Sequence, residues 1–151
     1  MSGDSQALAE RVAVGMLASD PFSRWLGVEL LTIAPHRAEL RMTVRDEMAN
    51  GFGVCHGGVT FALADSALAF ASNTRGTVTV SIENAIGYPA AVRPGDVLIA
   101  RCEPDTPGRR VGFYRVTVRN QHDEAVAHFR GTVYDTGRPH VAAAPISGSD
   151  A

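Results

Sequence analysis

The stretch Cys55-His56-Gly57-Gly58-Val59-Thr60-Phe61-Ala62-Leu63-Ala64-Asp65-Ser66-Ala67-Leu68-Ala69-Phe70-Ala71-Ser72 decides the architecture of this chain. From Gly57 to Ser72 there is no proline and the positions are apolar nearly all the way round, which predicts a helix buried on most of its sides. Such a helix needs a large concave apolar surface to cover it. The sequence downstream supplies one: Val78–Ile86, Val97–Cys102, Val111–Arg119 and Ala125–Tyr134 read as strands. Arg93-Pro94-Gly95-Asp96, residues 104–109 and Gln121-His122-Asp123-Glu124 provide the turns. Upstream, Val28, Leu30 and Thr32, then Ala38, Leu40 and Met42, flank a turn at Pro35-His36 and read as a hairpin. The expected fold class is α+β, an antiparallel sheet of five or six twisted strands wrapped round one long central helix.

Further out, Leu8, Val12 and Met16 form a helical stripe over residues 5–18, capped by Asp4 or Ser5 and closed at Asp20-Pro21. The expected organisation is an N-terminal helix (1–22) packing on one domain (23–136), then a tail (137–151) whose Gly, Pro, Ala, Ser and Asp lack periodicity and predict disorder. The 151 residues amount to one domain, able to bury roughly 68–70% of its unfolded surface.

Fourteen basic residues stand against 16 acidic ones, a net charge of −2, which gives no electrostatic reason to expect a nucleic-acid partner or a membrane. Every basic residue is Arg, so lysine Schiff-base and lysine general-base chemistry are excluded. Cys55 and Cys102 are too few for a disulfide scaffold, and Asp4, Glu10 and Arg11 interrupt any apolar leader in the first twenty residues. A cytoplasmic protein with reduced thiols is the expectation. The histidines at 36, 56, 122, 128 and 140 lack ligand spacing, so no metal site is expected.

Chemistry concentrates on the decisive helix. A carboxylate at Asp65, among apolar neighbours, is costly to bury unpaired, so it is paired, faces a cavity, or lies on the helix's one solvated stripe beside Ser66. Gly57-Gly58 at the helix start leaves backbone N–H groups free at the positive end of the dipole, suited to an oxyanion; a tight loop-to-helix turn is the commoner reason for an isolated Gly-Gly. Gly57 and Asp65 are eight residues apart, about 12 Å along a helix, whereas a reacting carbonyl must lie roughly 3 Å from both donor and base. If the two cooperate, Asp65 of one chain must face Gly57 of an identical antiparallel helix, which predicts a homodimer with two equivalent sites.

The pattern Asn50-x5-His56-Gly57-Gly58-x6-Asp65, with Gly27-Val28-Glu29-Leu30, Leu63-Ala64-Asp65-Ser66, Tyr88-Pro89-Ala90 and Arg93-Pro94-Gly95-Asp96, resembles the hotdog-fold acyl-CoA thioesterases of the phenylacetic-acid-degradation type over about residues 25–135. The resemblance implies that Asp65 is nucleophile or general base, that the Gly57 N–H is the oxyanion donor, and that Asn50 of the partner chain orients substrate or water. It also implies that His56 supports the thioester end and that the Ser81 hydroxyl lies beside the acid. Gly58, Tyr88, Arg93, Arg109 and Arg110 are expected to contact the acyl-CoA, the arginines through its phosphates. No cofactor is implied, and relatives of this type are often dimers of dimers. Phe52, Phe61 and Phe70 are candidates for an acyl pocket or for core packing, with aryl-acyl and medium-chain groups both open. A Cys55–His56 dyad is disfavoured because consecutive side chains diverge. A hotdog hydratase or dehydratase, and a non-catalytic acyl-CoA-binding module, are the alternatives.

Overall fold

The structure, a computed structural model, describes residues 2–140. The decisive stretch folds as expected: α3 (Gly57–Ser72) is a helix of 16 residues whose Leu63, Ala64, Ala67, Leu68, Phe70 and Ala71 are buried. It follows α1 (Ser2–Ala18), α2 (Pro21–Leu26), the hairpin β1 (Glu29–Ala34) and β2 (Arg37–Thr43), and a single 3-10 turn at Asp46–Met48. After it come β3 (Thr77–Gly87), β4 (Val97–Thr106), β5 (Val111–Arg119) and β6 (Ala125–Pro139). All six strands join one antiparallel sheet in the order β1-β2-β4-β5-β6-β3, with β1 and β3 at its edges.

Alternation explains the wrap. Leu40 and Met42 on β2, Leu98, Ala100 and Cys102 on β4, Tyr114, Val116 and Val118 on β5, and Phe129 and Val133 on β6 are buried in one core with α3. Their neighbours Arg101, Arg115 and Arg119 point to the solvated side of the sheet. Alanines at 64, 67 and 71 let the helix backbone approach the sheet closely, and Phe61 meets Phe129 edge-on at 5.3 Å between ring centroids. Burying each large side chain here contributes about 1.5–3 kcal/mol.

Three expectations need correction. The first helix starts at Ser2, so Asp4 lies inside its first turn and is not its cap. The N-terminal segment 1–22 is not a single helix: Pro21 stops α1 and occupies the start of α2, a position its fixed φ favours. The Asp20 carboxylate caps α2, accepting from Ser23 N at 2.9 Å and Ser23 Oγ at 2.5 Å, and Gly27 (φ 85°) closes it. A domain boundary at residue 22 would therefore cut through α2. Lastly, β6 runs to Pro139, because Thr77 pairs with Pro139 across the ladder; Gly137–Pro139 thus belong to the sheet, while residues 141–151 of the expected tail lie outside the described residues.

Candidate active site

The N-terminal end of α3 is held by its own sequence. His56 is the cap: its Nδ1 accepts from Gly58 N at 2.9 Å, which puts the proton of the neutral ring on Nε2 and leaves that N–H as an outward donor. A Cβ on Gly58 would stand 2.9 Å from that same Nδ1, so the second glycine is what permits the cap. At Gly57 the constraint comes from the other side. Tyr88 Oη donates to Gly57 O at 2.7 Å, and a Cβ on Gly57 would lie 3.0 Å from that oxygen. With Gly58 N spent on the cap and Val59 N on His56 O, the Gly57 N–H is left without an acceptor among the described residues. It points out along the helix axis where the dipole favours negative charge.

The loop before α3 brings further groups to this end. Asn50 Oδ1 accepts from Phe52 N at 2.8 Å and Val54 N at 3.4 Å, so the amide oxygen shapes the loop and the NH2 remains as a donor. Cys55 N donates to Val92 O at 2.7 Å, tying the loop to the Arg93–Asp96 turn and bringing Arg93 alongside. Cys55 itself is buried; burial pushes its thiol pKa up, and the His56 ring is occupied by its cap, so the two do not form a dyad.

Asp65 lies eight residues down α3, half-buried at the β3 edge. Burial raises its carboxyl above the usual range, and a hydrogen bond from Asn84 Nδ2 to Oδ1 at 3.2 Å partly opposes that. Ser81 does not touch the acid directly. Its hydroxyl donates to Asn84 Oδ1 at 2.8 Å, so the serine expected beside the carboxylate reaches it through Asn84. Asn84 is the residue the sequence reading missed; the signal that its strand is bulged is carried by backbone pairing, which the side-chain pattern does not display.

Arg109 and Arg110 are at neither of these places. They flank a cleft of about 490 Å³ at the C-terminal end of α3 with Arg75, Thr77, Asp135 and Thr136, where Arg75 donates to Asp135 Oδ2 at 2.9 Å and to Arg109 O at 3.2 Å. The chain thus presents Asn50, His56, Gly57, Gly58, Tyr88 and Arg93 at one end of α3, Asp65 with Ser81 and Asn84 in its middle, and Arg109 and Arg110 at the other end. Of the three phenylalanines, Phe70 is core and Phe61 packs on Phe129, whereas Phe52 is 92% exposed beside the Asn50 loop.

Residues 52–127 match the thioesterase superfamily model. The acyl-coenzyme A thioesterase PaaI of Escherichia coli is 34% identical over 125 residues, covering 83% of this chain and 89% of that protein. The structure of the E. coli PaaI protein superimposes with a TM-score of 0.87 at 32% identity, covering 89% of this chain and 97% of that one. Human acyl-coenzyme A thioesterase 13 is 30% identical over 124 residues, 80% of this chain and 88% of the human protein. A Streptococcus mutans protein crystallised with acetyl CoA superimposes with a TM-score of 0.72 at 26% identity, over 75% of this chain and 91% of that one. The six-stranded sheet round α3 is the hotdog fold, and the chain belongs to the thioesterase superfamily.

Proposed function

We propose that the protein hydrolyses an acyl-CoA thioester to free acid and coenzyme A in a homodimer whose two sites each combine Asp65 of one chain with the Gly57 N–H of the other. The observation that carries this reading is that α3 holds an ionisable acid and an unengaged oxyanion donor about 12 Å apart, too far to meet on one carbonyl within one chain. Antiparallel pairing of two such helices brings each acid opposite the other chain's donor. A route to that pairing exists at β3, a free edge of 11 residues with Val80 and Ile82 exposed at 42% and 58%. Pairing there sets a second copy beside Asp65.

In this site the carbonyl oxygen lies against Gly57 N–H, with Asn50 and His56 Nε2 as further donors. Asp65 either attacks the carbonyl carbon, expelling coenzyme A as a thiolate that takes a proton from water and leaving an anhydride that water opens, or takes the proton of an attacking water and passes it to the sulfur as the C–S bond breaks. A thioester carbonyl is electrophilic and thiolate leaves readily, so a carboxylate and aligned N–H dipoles suffice. Coenzyme A phosphates fit the cleft of Arg75, Arg109 and Arg110. From Asp65 to the end of α3 is seven residues, about 10 Å, and the cleft lies just beyond. The acyl group is aryl-acyl or medium-chain, with Phe52 the aromatic ring open to it.

Mixing two inactive variants, Asp65→Asn and Gly57→Val, tests the shared site. A mixed dimer keeps one site with both its acid and its donor intact, so random exchange recovers about a quarter of wild-type hydrolysis of phenylacetyl-CoA or hexanoyl-CoA. No recovery on proven subunit exchange overturns the shared site. Binding of either thioester by the wild-type protein without thiol release would instead favour an acyl-CoA-binding module.

A further inference from the structure

Between β3 and β6 the ladder slips: Ser81 pairs with Val133 but Glu83 pairs with Thr132, so β3 carries one extra residue. In a regular strand, residues three apart face opposite sides of the sheet. The bulge cancels that alternation, so that the hydroxyl of the exposed Ser81 reaches the amide of the half-buried Asn84. Across the ladder from Asn84 stands Gly131. A Cβ on Gly131 would lie 2.9 Å from Asn84 Oδ1 and overlap the Leu68 side chain, so the glycine clears the space in which the amide sits. Held in this way, the Asn84 amide donates to Asp65 Oδ1.

We propose that Asn84 is a positioning residue for the hydrolysis: anchored by Ser81, it donates to the Asp65 carboxylate and orients it toward the substrate. This rests on the assignment of Asp65 above. An ionised carboxylate only accepts hydrogen bonds, so the amide must face it with its NH2 and turn its oxygen to Ser81, the arrangement found. The charged neighbours on the adjoining strands, Glu83 and Arg130, are exposed, and the influences on the acid are burial and Asn84.

The test is the titration of the Asp65 carboxyl, followed by its 13C chemical shift in the full chain labelled at aspartate and assigned with Asp65→Asn, alongside kcat/KM against pH with phenylacetyl-CoA and hexanoyl-CoA. Asn84→Ala removes the donor and moves both the titration midpoint and the acid limb of kcat/KM to higher pH, with about a tenfold loss of kcat/KM on that limb. Asn84→Asp, nearly identical in shape, moves them further because two carboxylates then compete for one proton. Ser81→Ala, an exposed change that leaves the fold intact, gives a smaller move in the same direction, and carries the test if Asn84 variants fold poorly. A midpoint unchanged in Ser81→Ala and in the Asn84 variants that fold overturns the role of Asn84. Full hydrolysis by Asp65→Asn would overturn the assignment of Asp65 instead, a separate outcome.

Discussion

Replacing Gly57 by Ala tests whether the end of α3 works as a fixed oxyanion donor. The added Cβ would stand 3.0 Å from Tyr88 Oη and 3.1 Å from Cζ, several tenths of an ångström inside ordinary contact, so either the tyrosine or the first helical turn must move. If Tyr88 moves, its 2.7 Å hydrogen bond to Gly57 O is lost at about 0.5–1.5 kcal/mol, while the helix gains up to about 1 kcal/mol from Ala over Gly. The two nearly cancel. Stability therefore changes by at most about 1 kcal/mol, and Tm by no more than about 4 °C. Activity is not shielded in this way: whether the turn is pushed aside or loses the Tyr88 bond that holds Gly57, the oxyanion donor is mis-aimed, and kcat/KM is expected to fall about a hundredfold. In a Tyr88→Ala background the clash is absent, and Gly57→Ala costs no more than about threefold. The assay is kcat/KM by thiol release with thermal melts on all four proteins. An undiminished Gly57→Ala enzyme, or an equal loss in both backgrounds, would refute the reasoning.

Asp65→Asn is expected to lower kcat by about a hundredfold or more while raising Tm. The sign follows from its raised folded-state pKa: protonated Asp65 fits the fold better, so its stability contribution is complete below the unfolded carboxylate pKa and is lost as pH rises through the folded value. The Tm advantage of Asn should accordingly appear only above that window; an advantage that persists in acid counts against burial as the cause. Ile82→Arg places a charge on the free β3 edge and should convert the proposed dimer to monomer in light scattering, with activity lost and the melt largely unchanged; an active monomer would end the shared-site proposal. His56→Ala removes the cap of α3 and should cost about 1 kcal/mol in urea titrations. Leu68→Ala, at a side chain 1% exposed against the sheet, should cost about 2–5 kcal/mol; a cost under 1 kcal/mol would mean that the α3–sheet contact is not close-packed.

Sequence alone determined the frame. The apolar run from Gly57 to Ser72 called for a concave apolar cover, which a curled sheet supplies, and the alternation in Arg37–Thr43 and Val111–Arg119 named the faces that cover it. Spacing on one helix also required that Gly57 and Asp65 serve different sites or different chains, since helical rise is fixed whatever the context. Short elements were less legible. The six-residue α2 was hidden because Asp20-Pro21 ends one helix and begins another with the same residues. Tertiary structure alone decided what surrounds each candidate. Tyr88 reaches Gly57 from 31 positions away, and Arg109 and Arg110 gather at the far end of α3 because the β4–β5 turn lies there. Ser81 contacts Asp65 only through Asn84, because one extra residue in β3 reverses the facing of everything beyond it. A slip in register leaves no mark in residue order: it is fixed by pairing with β6, and pairing exists only once the chain has folded.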